Sequence, residues 1–400
     1  NLFHQYDYLV MEGAGSPVEV NRKNEDLANM QVAKMNNTPV FLVANIDRGG
    51  ALASIVGTIK LLEPEEKRLV KGIIINKFRG DFDLLKPGIE FLENYLEIPV
   101  VGVIPYIRDL KLPEEDSASL PEKLNKVETG NIEIGIINLP HMSNFTDFKS
   151  LEFEPDVNLT YIHTPEEMDN LDMVIIPGTK TTTKDLNYLK KSGLAQKIIN
   201  LSENEVIVIG ICGGYQMMGH NLEDKHQTEG HIEKIKGLSL LPIETEFLPE
   251  KTTHQIKAYL NQELKLFKNI SEEKIQIEGY EIHMGITRYL KDSSPVFKIK
   301  ERSGEKVSIT DGAINTGGNC FGTYIHGLFN NDKFRVDLIN YIRKKKNLEL
   351  LNPEISSYHS QMEADFDRIA DIVNKNLDMD YIFKLLAATR KEEKICQPDL

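Results

Sequence analysis

Short runs of β-branched and other apolar residues recur along the chain with helical stretches between them, and this alternation limits the possible folds more than any other feature. In the first part of the chain the runs occupy residues 8–11, 40–44, 72–75 and 100–104. Uninterrupted apolar runs are typical of strands that are buried on both faces of a sheet. Strands that alternate with helices indicate parallel sheets with right-handed crossovers. The sequence therefore predicts an α/β fold.

A second series of apolar runs follows at residues 132–137, 159–163, 173–176 and 206–211. We therefore expect two doubly wound parallel-sheet domains, at residues 1–107 and 131–345. Residues 108–130 are polar and lack periodicity, so they are predicted to be a linker. Apolar residues with helical spacing predict a C-terminal helical segment at residues 346–400.

The formal net charge of −14 argues against a nucleic-acid-binding surface, which needs a basic patch. The three cysteines, Cys212, Cys320 and Cys396, are too few for a disulfide framework or a zinc site, and reduced thiols are typical of a cytoplasmic protein. No apolar stretch approaches the roughly 20 residues that cross a bilayer. We expect a cytoplasmic protein with no nucleic-acid or membrane partner.

The strongest chemical signal is a buried-strand pattern that runs into Cys212-Gly213-Gly214 and then into a helix. This is the arrangement of a nucleophile elbow with Cys in place of Ser. Glycines suit such a sharp turn because they lack a Cβ atom. The following helix N-terminus favours a thiolate, and the Gly213 N–H is a candidate oxyanion donor. Cys320 and Cys396 lack this context and are interpreted as ordinary cysteines.

A thiol nucleophile needs a base, and the best candidate is His326, which follows a strand-like run and lies among small residues. His283 is the competing candidate. A second oxyanion donor is predicted at Gly178, because the strand at 173–176 ends in Pro177-Gly178 and ligands bind at the carboxyl edge of such sheets.

Polar side chains also follow the strands of the first domain. Glu12 is a candidate Mg²⁺ ligand at the end of the first apolar run. Asn76 follows another run and can hydrogen-bond a purine edge, and Asp47 and Arg48 follow a third. Strand ends that meet at one sheet edge indicate a single site.

A phosphate-binding G-x-x-x-x-G-K-[ST] loop is absent from the sequence. In such a domain this loop normally follows the first strand. The first residue is Asn1 rather than Met, and an apolar run follows almost at once. We therefore expect that a segment with the first strand and the phosphate loop precedes Asn1, and that these 400 residues alone lack full ATP-dependent activity.

The thiol site resembles the class I glutamine amidotransferase domain, which hydrolyses glutamine to glutamate and ammonia. That family often carries Glu two residues after its histidine, whereas this chain has Leu328. Either a carboxylate from elsewhere orients His326 or the site works as a Cys–His dyad. The whole chain resembles the cobyrinate amidotransferase family, on motifs at residues 12–17, 26–30, 43–50, 75–81, 139–147, 177–180, 206–219, 322–329 and 365–371.

The second resemblance implies a first domain like dethiobiotin synthetase, a P-loop NTPase-like fold, here without its first strand and P-loop. It implies amidation of the b, d, e and g carboxylates of adenosylcobyrinic acid a,c-diamide with ATP, Mg²⁺ and glutamine, through acyl phosphates and ammonia released at Cys212. By resemblance, Glu12 would bind Mg²⁺ and Asn76 the adenine. Asp47 and Arg48 would lie near the corrin carboxylates.

Three other functions are compatible with parts of the sequence. One is the sister enzyme that makes the a,c-diamide, which the motif at residues 12–17 and the Asp47-Arg48-Gly49-Gly50 loop disfavour. Another is a glutaminase subunit that serves a separate synthetase, which the well-formed first domain disfavours. The third is a catalytically inactive binding protein, which the intact Cys212 elbow disfavours.

Overall fold

We describe a computed structural model, which covers residues 5–19, 28–108, 110, 112, 130–268, 274–291, 293–351 and 357–395. Cys396 and most of the predicted linker lie outside these residues. The chain forms two compact units. The first consists of Asn1–Leu110 with Glu363–Leu400, and the second of Lys111–Met362. No helix in the described ranges has the length and apolar character that crossing a bilayer requires.

The first unit contains a three-stranded parallel sheet in the order β1-β2-β3. Its elements are α1 Met30–Met35, β1 Val40–Asn45, α2 Ala51–Leu61, α3 Pro64–Leu69, β2 Val70–Phe78, α4 Phe82–Leu96 and β3 Val100–Pro105. Ile73 on the central strand is completely buried, as are Ile59 on α2 and Leu92 on α4. The apolar run of β2 therefore forms the middle of this core, as expected for a strand that is covered on both faces.

The predicted strand at residues 8–11 is not a strand in the structure. Residues 8–11 belong to none of the sheets that the described residues form, and 92% of Val10 is exposed. An apolar run becomes a strand only when a neighbouring strand pairs with its backbone. The first domain thus contributes three of the four strands that its sequence pattern predicted.

Two helices end the described chain, α10 Tyr358–Asn376 and α11 Met379–Ile395. From Glu363 onward they belong to the first unit. The Asp378 N–H donates to the Val101 carbonyl at 2.8 Å, and the Tyr381 hydroxyl donates to the Lys71 carbonyl at 2.8 Å. The segment that the sequence analysis treated separately is therefore packed on β2 and β3.

The second unit has a six-stranded sheet in the order β14-β15-β7-β6-β4-β5, parallel except for β14. Its strands are β4 Ile132–Ile137, β5 Val157–Ile162, β6 Met173–Ile176, β7 Ile207–Ile211, β14 Ala313–Ile314 and β15 Cys320–Thr323. The helices are α5 Lys149–Glu152, α6 Thr182–Lys191, α7 Leu194–Glu203, α8 Gly213–Met217 and α9 Asp332–Lys345. Every residue of β6 and β7 is buried. The Pro177-Gly178 turn follows the carboxyl end of β6, and the Cys212 elbow follows the carboxyl end of β7.

A second, largely antiparallel sheet lies in the same unit, in the order β13-β12-β10-β11-β16 with β8 and β9 beside β10. Its strands are β8 Asn221–Glu223, β9 Lys234–Lys236, β10 Ile243–Leu260, β11 Gln276–Tyr289, β12 Phe297–Arg302, β13 Glu305–Asp311 and β16 Ile325–His326. The short β16 continues the chain from β15 and pairs with β11, which sets Tyr280 opposite His326. The two sheets therefore meet at the histidine.

A buried arginine fixes the chain that follows His326. Arg335 on α9 is 1% exposed, and its Nε donates to Glu154 Oε1 at 2.7 Å. Its Nη1 donates to the Phe329 carbonyl and its Nη2 to Asp332 Oδ1, both at 2.8 Å. A buried charge with this many partners is held in one position, so the turn after His326 is anchored to the loop after α5.

Candidate active site

The thiol of Cys212 is presented by a strained turn between β7 and α8. Cys212 has φ +51° and ψ −108°, a conformation that residues other than glycine rarely adopt. Its N–H donates to the Thr323 carbonyl of β15 at 2.8 Å. Strain of this kind is kept where the surrounding structure enforces it, often at a reactive residue.

The glycines after Cys212 let the elbow approach the end of β6. A Cβ atom at Gly214 would lie 2.0 Å from the Ile176 carbonyl oxygen, and one at Gly213 would lie 2.8 Å from Thr179 Cγ2. Backbone atoms cannot move away from such contacts, so glycine is required at Gly214. This close approach places the Gly178 turn beside the thiol.

His326 is completely buried at the end of β16, and its ring is held by a carboxylate that sequence reasoning did not identify. Nδ1 of His326 lies 2.7 Å from Asp147 Oδ2, and the Gly327 N–H donates to Asp147 Oδ1 at 2.8 Å. Asp147 is 2% exposed and lies in a short 3-10 helix, Phe145–Phe148. Because a carboxylate only accepts, Nδ1 carries the proton. Asp147 is therefore the carboxylate that orients the imidazole of His326 in this structure.

The electrostatic surroundings favour a protonated His326. Burial is the largest influence and would lower its pKa, but the charge and hydrogen bond of Asp147, together with the Cys212 thiol, outweigh burial and raise the pKa to about 10. A cationic imidazole beside a thiol stabilises the thiolate. The pair is therefore suited to nucleophilic attack followed by proton donation to a leaving group.

Gly178 lies where the functional groups converge. A Cβ atom added to it would be 3.3 Å from His326 Cε1, 3.4 Å from Ser143 Oγ and 3.6 Å from Cys212 Cβ. Gly213 is the first residue of α8, so its N–H has no carbonyl partner within that helix. The structure thus brings Cys212, His326, Gly178 and Gly213 together at one edge of the sheet.

Tyr280 forms one wall of this site. Its ring stacks on the imidazole of His326 with centroids 5.1 Å apart, and its hydroxyl accepts a hydrogen bond from Asn144 Nδ2 at 2.7 Å. Burial, followed by the charges of Asp147 and Cys212, raises the pKa of Tyr280. The Cys212 thiol also donates weakly to the Ile282 carbonyl at 3.5 Å. The tyrosine therefore restricts the orientation of the histidine ring.

The competing base, His283, is engaged elsewhere. Its ring stacks on Tyr324 at a centroid distance of 3.8 Å, and its Nε2 lies 3.7 Å from Glu281 Oε2. Glu281 in turn pairs with Arg302. This geometry favours His326 over His283 as the partner of the thiol.

In the first unit, Asn76 and Asp47 lie at the carboxyl edge of the three-stranded sheet. Asn45, the last residue of β1, is the register partner of Asn76 near the end of β2, and Asp47 follows Asn45 by two residues. The Asp47 carboxylate pairs with Arg79, with Nε and Oδ1 3.0 Å apart. Arg48 is exposed and extends the same loop. This edge therefore presents amide, carboxylate and guanidinium groups together.

Glu12 is exposed, and no hydrogen bond or ion pair within the described residues connects it to this edge. Nor does any group of three or more His, Cys, Asp or Glu side chains in the described ranges form a metal site. Mg²⁺ is commonly held by one or two carboxylates together with substrate phosphates. A single accessible carboxylate therefore fits an ion that is shared with a nucleotide.

Comparisons with known proteins match both halves of the chain. Residues 133–334 match the family model described as the CobB/CobQ-like glutamine amidotransferase domain. Residues 2–114 match a model described as an AAA domain. The first match covers the thiol, the histidine and Asp147, and the second covers the sheet edge that carries Asn76 and Asp47.

Similar proteins include three that are named cobyric acid synthase. The protein from Clostridium tetani is 44% identical over 386 residues, which is 96% of this chain and 75% of that protein. The protein from Caldanaerobacter subterraneus subsp. tengcongensis is 45% identical over 385 residues, which is again 96% of this chain and 75% of that protein. The protein from Moorella thermoacetica is 44% identical over 390 residues, which is 97% of this chain and 75% of that protein.

Proposed function

The chain belongs to the cobyric acid synthase family, and we propose that it converts the b, d, e and g carboxylates of adenosylcobyrinic acid a,c-diamide into carboxamides, giving adenosylcobyric acid. Glutamine supplies the nitrogen and ATP the activation. The proposal follows the family's place in cobalamin biosynthesis, and it rests most directly on the Cys212–His326–Asp147 arrangement beside Gly178.

In the first half-reaction, the Cys212 thiolate attacks the side-chain carboxamide carbon of glutamine. The N–H groups of Gly178 and Gly213 donate hydrogen bonds to the oxyanion that forms and stabilise it. His326 donates its Nε2 proton to the departing nitrogen, which leaves as ammonia, and a γ-glutamyl thioester remains on Cys212. His326 then accepts a proton from the water that hydrolyses the thioester to glutamate.

Asp147 keeps the proton on Nδ1 of His326 through both steps, so that Nε2 faces the reacting atoms. Tyr280 limits rotation of the ring by stacking on it. The raised pKa of His326 means that the proton is present when ammonia must leave. These features support a Cys–His–Asp triad over a Cys–His dyad.

In the second half-reaction, a corrin carboxylate takes the γ-phosphoryl group of ATP, and ammonia displaces phosphate from the resulting acyl phosphate. We propose that Asn76 binds the adenine, that Asp47 and Arg48 lie near the corrin carboxylates, and that Glu12 binds Mg²⁺. Bound Mg²⁺ would neutralise charge on the phosphates during transfer. The position of Asn76 and Asp47 at one sheet edge supports a single site for nucleotide and substrate.

The proposal is tested by incubating the full-length enzyme with adenosylcobyrinic acid a,c-diamide, Mg·ATP and either glutamine or ammonia, and counting new carboxamides by mass spectrometry. We expect four with either nitrogen source. Cys212→Ala should give none with glutamine and four with ammonia. Amidation of cobyrinic acid only at a and c would contradict the proposal in favour of the sister enzyme. Glutamine hydrolysis without any corrin amidation would favour a glutaminase that serves another synthetase.

A further inference from the structure

One buried carboxylate in the second unit contacts neither the thiol nor His326 but joins the two loops that bracket them. Asp185 lies in the first turn of α6 and is completely buried. Its Oδ1 lies 2.7 Å from Nδ1 of His141, and its Oδ2 accepts the His141 N–H at 3.2 Å. Oδ2 also accepts the Thr179 hydroxyl at 2.5 Å. Both oxygens are therefore engaged by donors from two separate loops.

These loops are the ones on which the site depends. The loop after β4 contains His141 and continues through Ser143 to Asp147, and the loop after β6 contains Gly178 and Thr179. They are joined directly as well, because the Ser143 N–H donates to the Gly178 carbonyl at 2.9 Å and the Lys180 N–H donates to the His141 carbonyl at 3.0 Å. The carboxylate of Asp185 lies behind this junction and is bonded to both sides of it.

A buried carboxylate that accepts hydrogen bonds from donors of two loops resists their separation, because opening would leave a buried charge without partners. The Gly178 N–H can stabilise an oxyanion only from a fixed position, and an error of 1 Å can cost about 10²-fold in rate. Asp147 has its own anchors in His326 Nδ1 and the Gly327 N–H. Losing Asp185 would therefore displace the Gly178 loop more than the Asp147–His326 pair.

We propose that Asp185 is a positioning residue for glutamine hydrolysis, which holds the Gly178 loop against the loop after β4 through Thr179 and His141. The inference rests on the proposed glutaminase site and concerns the same reaction. It predicts that a substitution of Asp185 weakens stabilisation of the oxyanion but leaves the Cys212 thiol reactive.

The test compares Asp185→Asn with the parent enzyme in two assays. Asn replaces one accepting oxygen by an amino group, which cannot accept from Thr179 or His141. We expect kcat for glutamine hydrolysis to fall about tenfold or more with little change in KM. Alkylation of Cys212 by iodoacetamide needs the thiolate but no oxyanion hole. Its rate in Asp185→Asn should therefore stay within about twofold of the parental rate. Subtracting the alkylation of Cys212→Ala isolates the signal of Cys212.

Two further variants make the result decisive. Thr179→Val removes one donor at nearly constant volume and should lower kcat in the same direction by a smaller factor. Asp172→Asn is the control. Asp172 accepts the Glu133 N–H and pairs with Lys346, at the end of the strands opposite to the thiol site. The kcat of this variant should match that of the parent enzyme.

If Asp185→Asn keeps full kcat while Cys212→Ala is inactive, the positioning role is wrong and the proposed glutaminase stands. Equal losses in hydrolysis and alkylation would mean general disruption of the fold and would also overturn it. Full hydrolysis by Cys212→Ala would overturn the proposed function itself.

Discussion

The carboxylate of Asp147 lies 2.7 Å from Nδ1 of His326, although 179 positions separate the two residues in the sequence. Both side chains are at least 98% buried, and the second carboxylate oxygen accepts the Gly327 N–H. The carboxylate thus contacts both the imidazole and the backbone that follows it. His326 is therefore oriented by Asp147, which lies near the start of the domain's sequence, and not by a residue on its own strand.

Asp147→Asn should lower kcat for glutamine hydrolysis by ~10²- to 10⁴-fold, because the amide no longer fixes the proton on Nδ1 or stabilises the imidazolium. Amidation with free ammonia should continue at the parental rate. Release of glutamate and formation of carboxamide are the two measurements. A variant that hydrolyses glutamine at the parental rate would restore the dyad interpretation.

His326→Ala should abolish glutamine hydrolysis, with a loss of at least ~10³-fold, because the variant lacks the imidazole that protonates the leaving nitrogen. His283→Ala should retain a large share of the activity, since His283 is engaged with Tyr324 and Glu281. Steady-state kinetics of the two variants side by side decide the assignment. A selective loss in His283→Ala would exchange the roles of the two histidines.

The pH dependence of kcat/KM for glutamine should reflect the raised pKa of His326. A base with a raised pKa keeps its proton below that value and loses it above, so activity should persist in mildly alkaline solution and fall as the pH passes about 10. Asp147→Asn removes two influences that raise this pKa, so the alkaline fall should move to lower pH. An alkaline limb at the same pH in both proteins would contradict the coupling.

Gly178→Ala should impair catalysis without unfolding the protein. The new methyl group would lie 3.3 Å from His326 Cε1, so the imidazole must move by a few tenths of an ångström, while 3.6 Å from Cys212 Cβ is an ordinary contact. A displaced imidazole should lower kcat about tenfold or more. Gly57→Ala is the matched control, because nothing lies within 4 Å of its added Cβ atom. Its activity should be unchanged and its stability equal or higher. Kinetics and thermal unfolding of both variants test the difference.

Arg48→Ala should weaken binding of the corrin substrate and leave glutamine hydrolysis unchanged, because the exposed guanidinium is proposed to attract substrate carboxylates. We expect KM for the corrin to rise by about tenfold, which corresponds to ~1.4 kcal/mol. Asp47→Ala should have a different effect, since it also releases Arg79 from its ion pair. An unchanged corrin KM in Arg48→Ala would remove this residue from the proposed substrate site.

The sequence predicted the features that a few adjacent residues encode. The Cys212 elbow follows from one strand and two glycines, and the Gly178 turn follows from Pro-Gly after a buried run. The α/β fold class is confirmed by the sheets and by the family matches. The catalytic roles of Cys212, His326, Gly178 and Gly213 stay predictions that the measurements above address.

Asp147 was not predicted, because the fold brings it to His326 and no short spacing along the sequence connects the two residues. The expected place for a carboxylate, two residues after His326, holds Leu328, which is completely buried. In the sequence, Asp147 is marked only as the last residue of the motif at residues 139–147, and a family motif by itself assigns no role to its members. The strand at residues 8–11 was predicted wrongly because periodicity reports apolar character and carries no information about a pairing neighbour.

The sheet order β14-β15-β7-β6-β4-β5 also bears on when the enzyme becomes active during synthesis. The ribosome delivers the nucleophile with β7 and the oxyanion turn with β6, but the base only after β15, more than a hundred residues beyond Cys212. Pairings of such large sequence separation form late in folding. On the proposed assignment, a nascent chain, or one degraded from its C-terminus past β16, holds the thiol without its base, and it should not release ammonia from glutamine before the domain is complete.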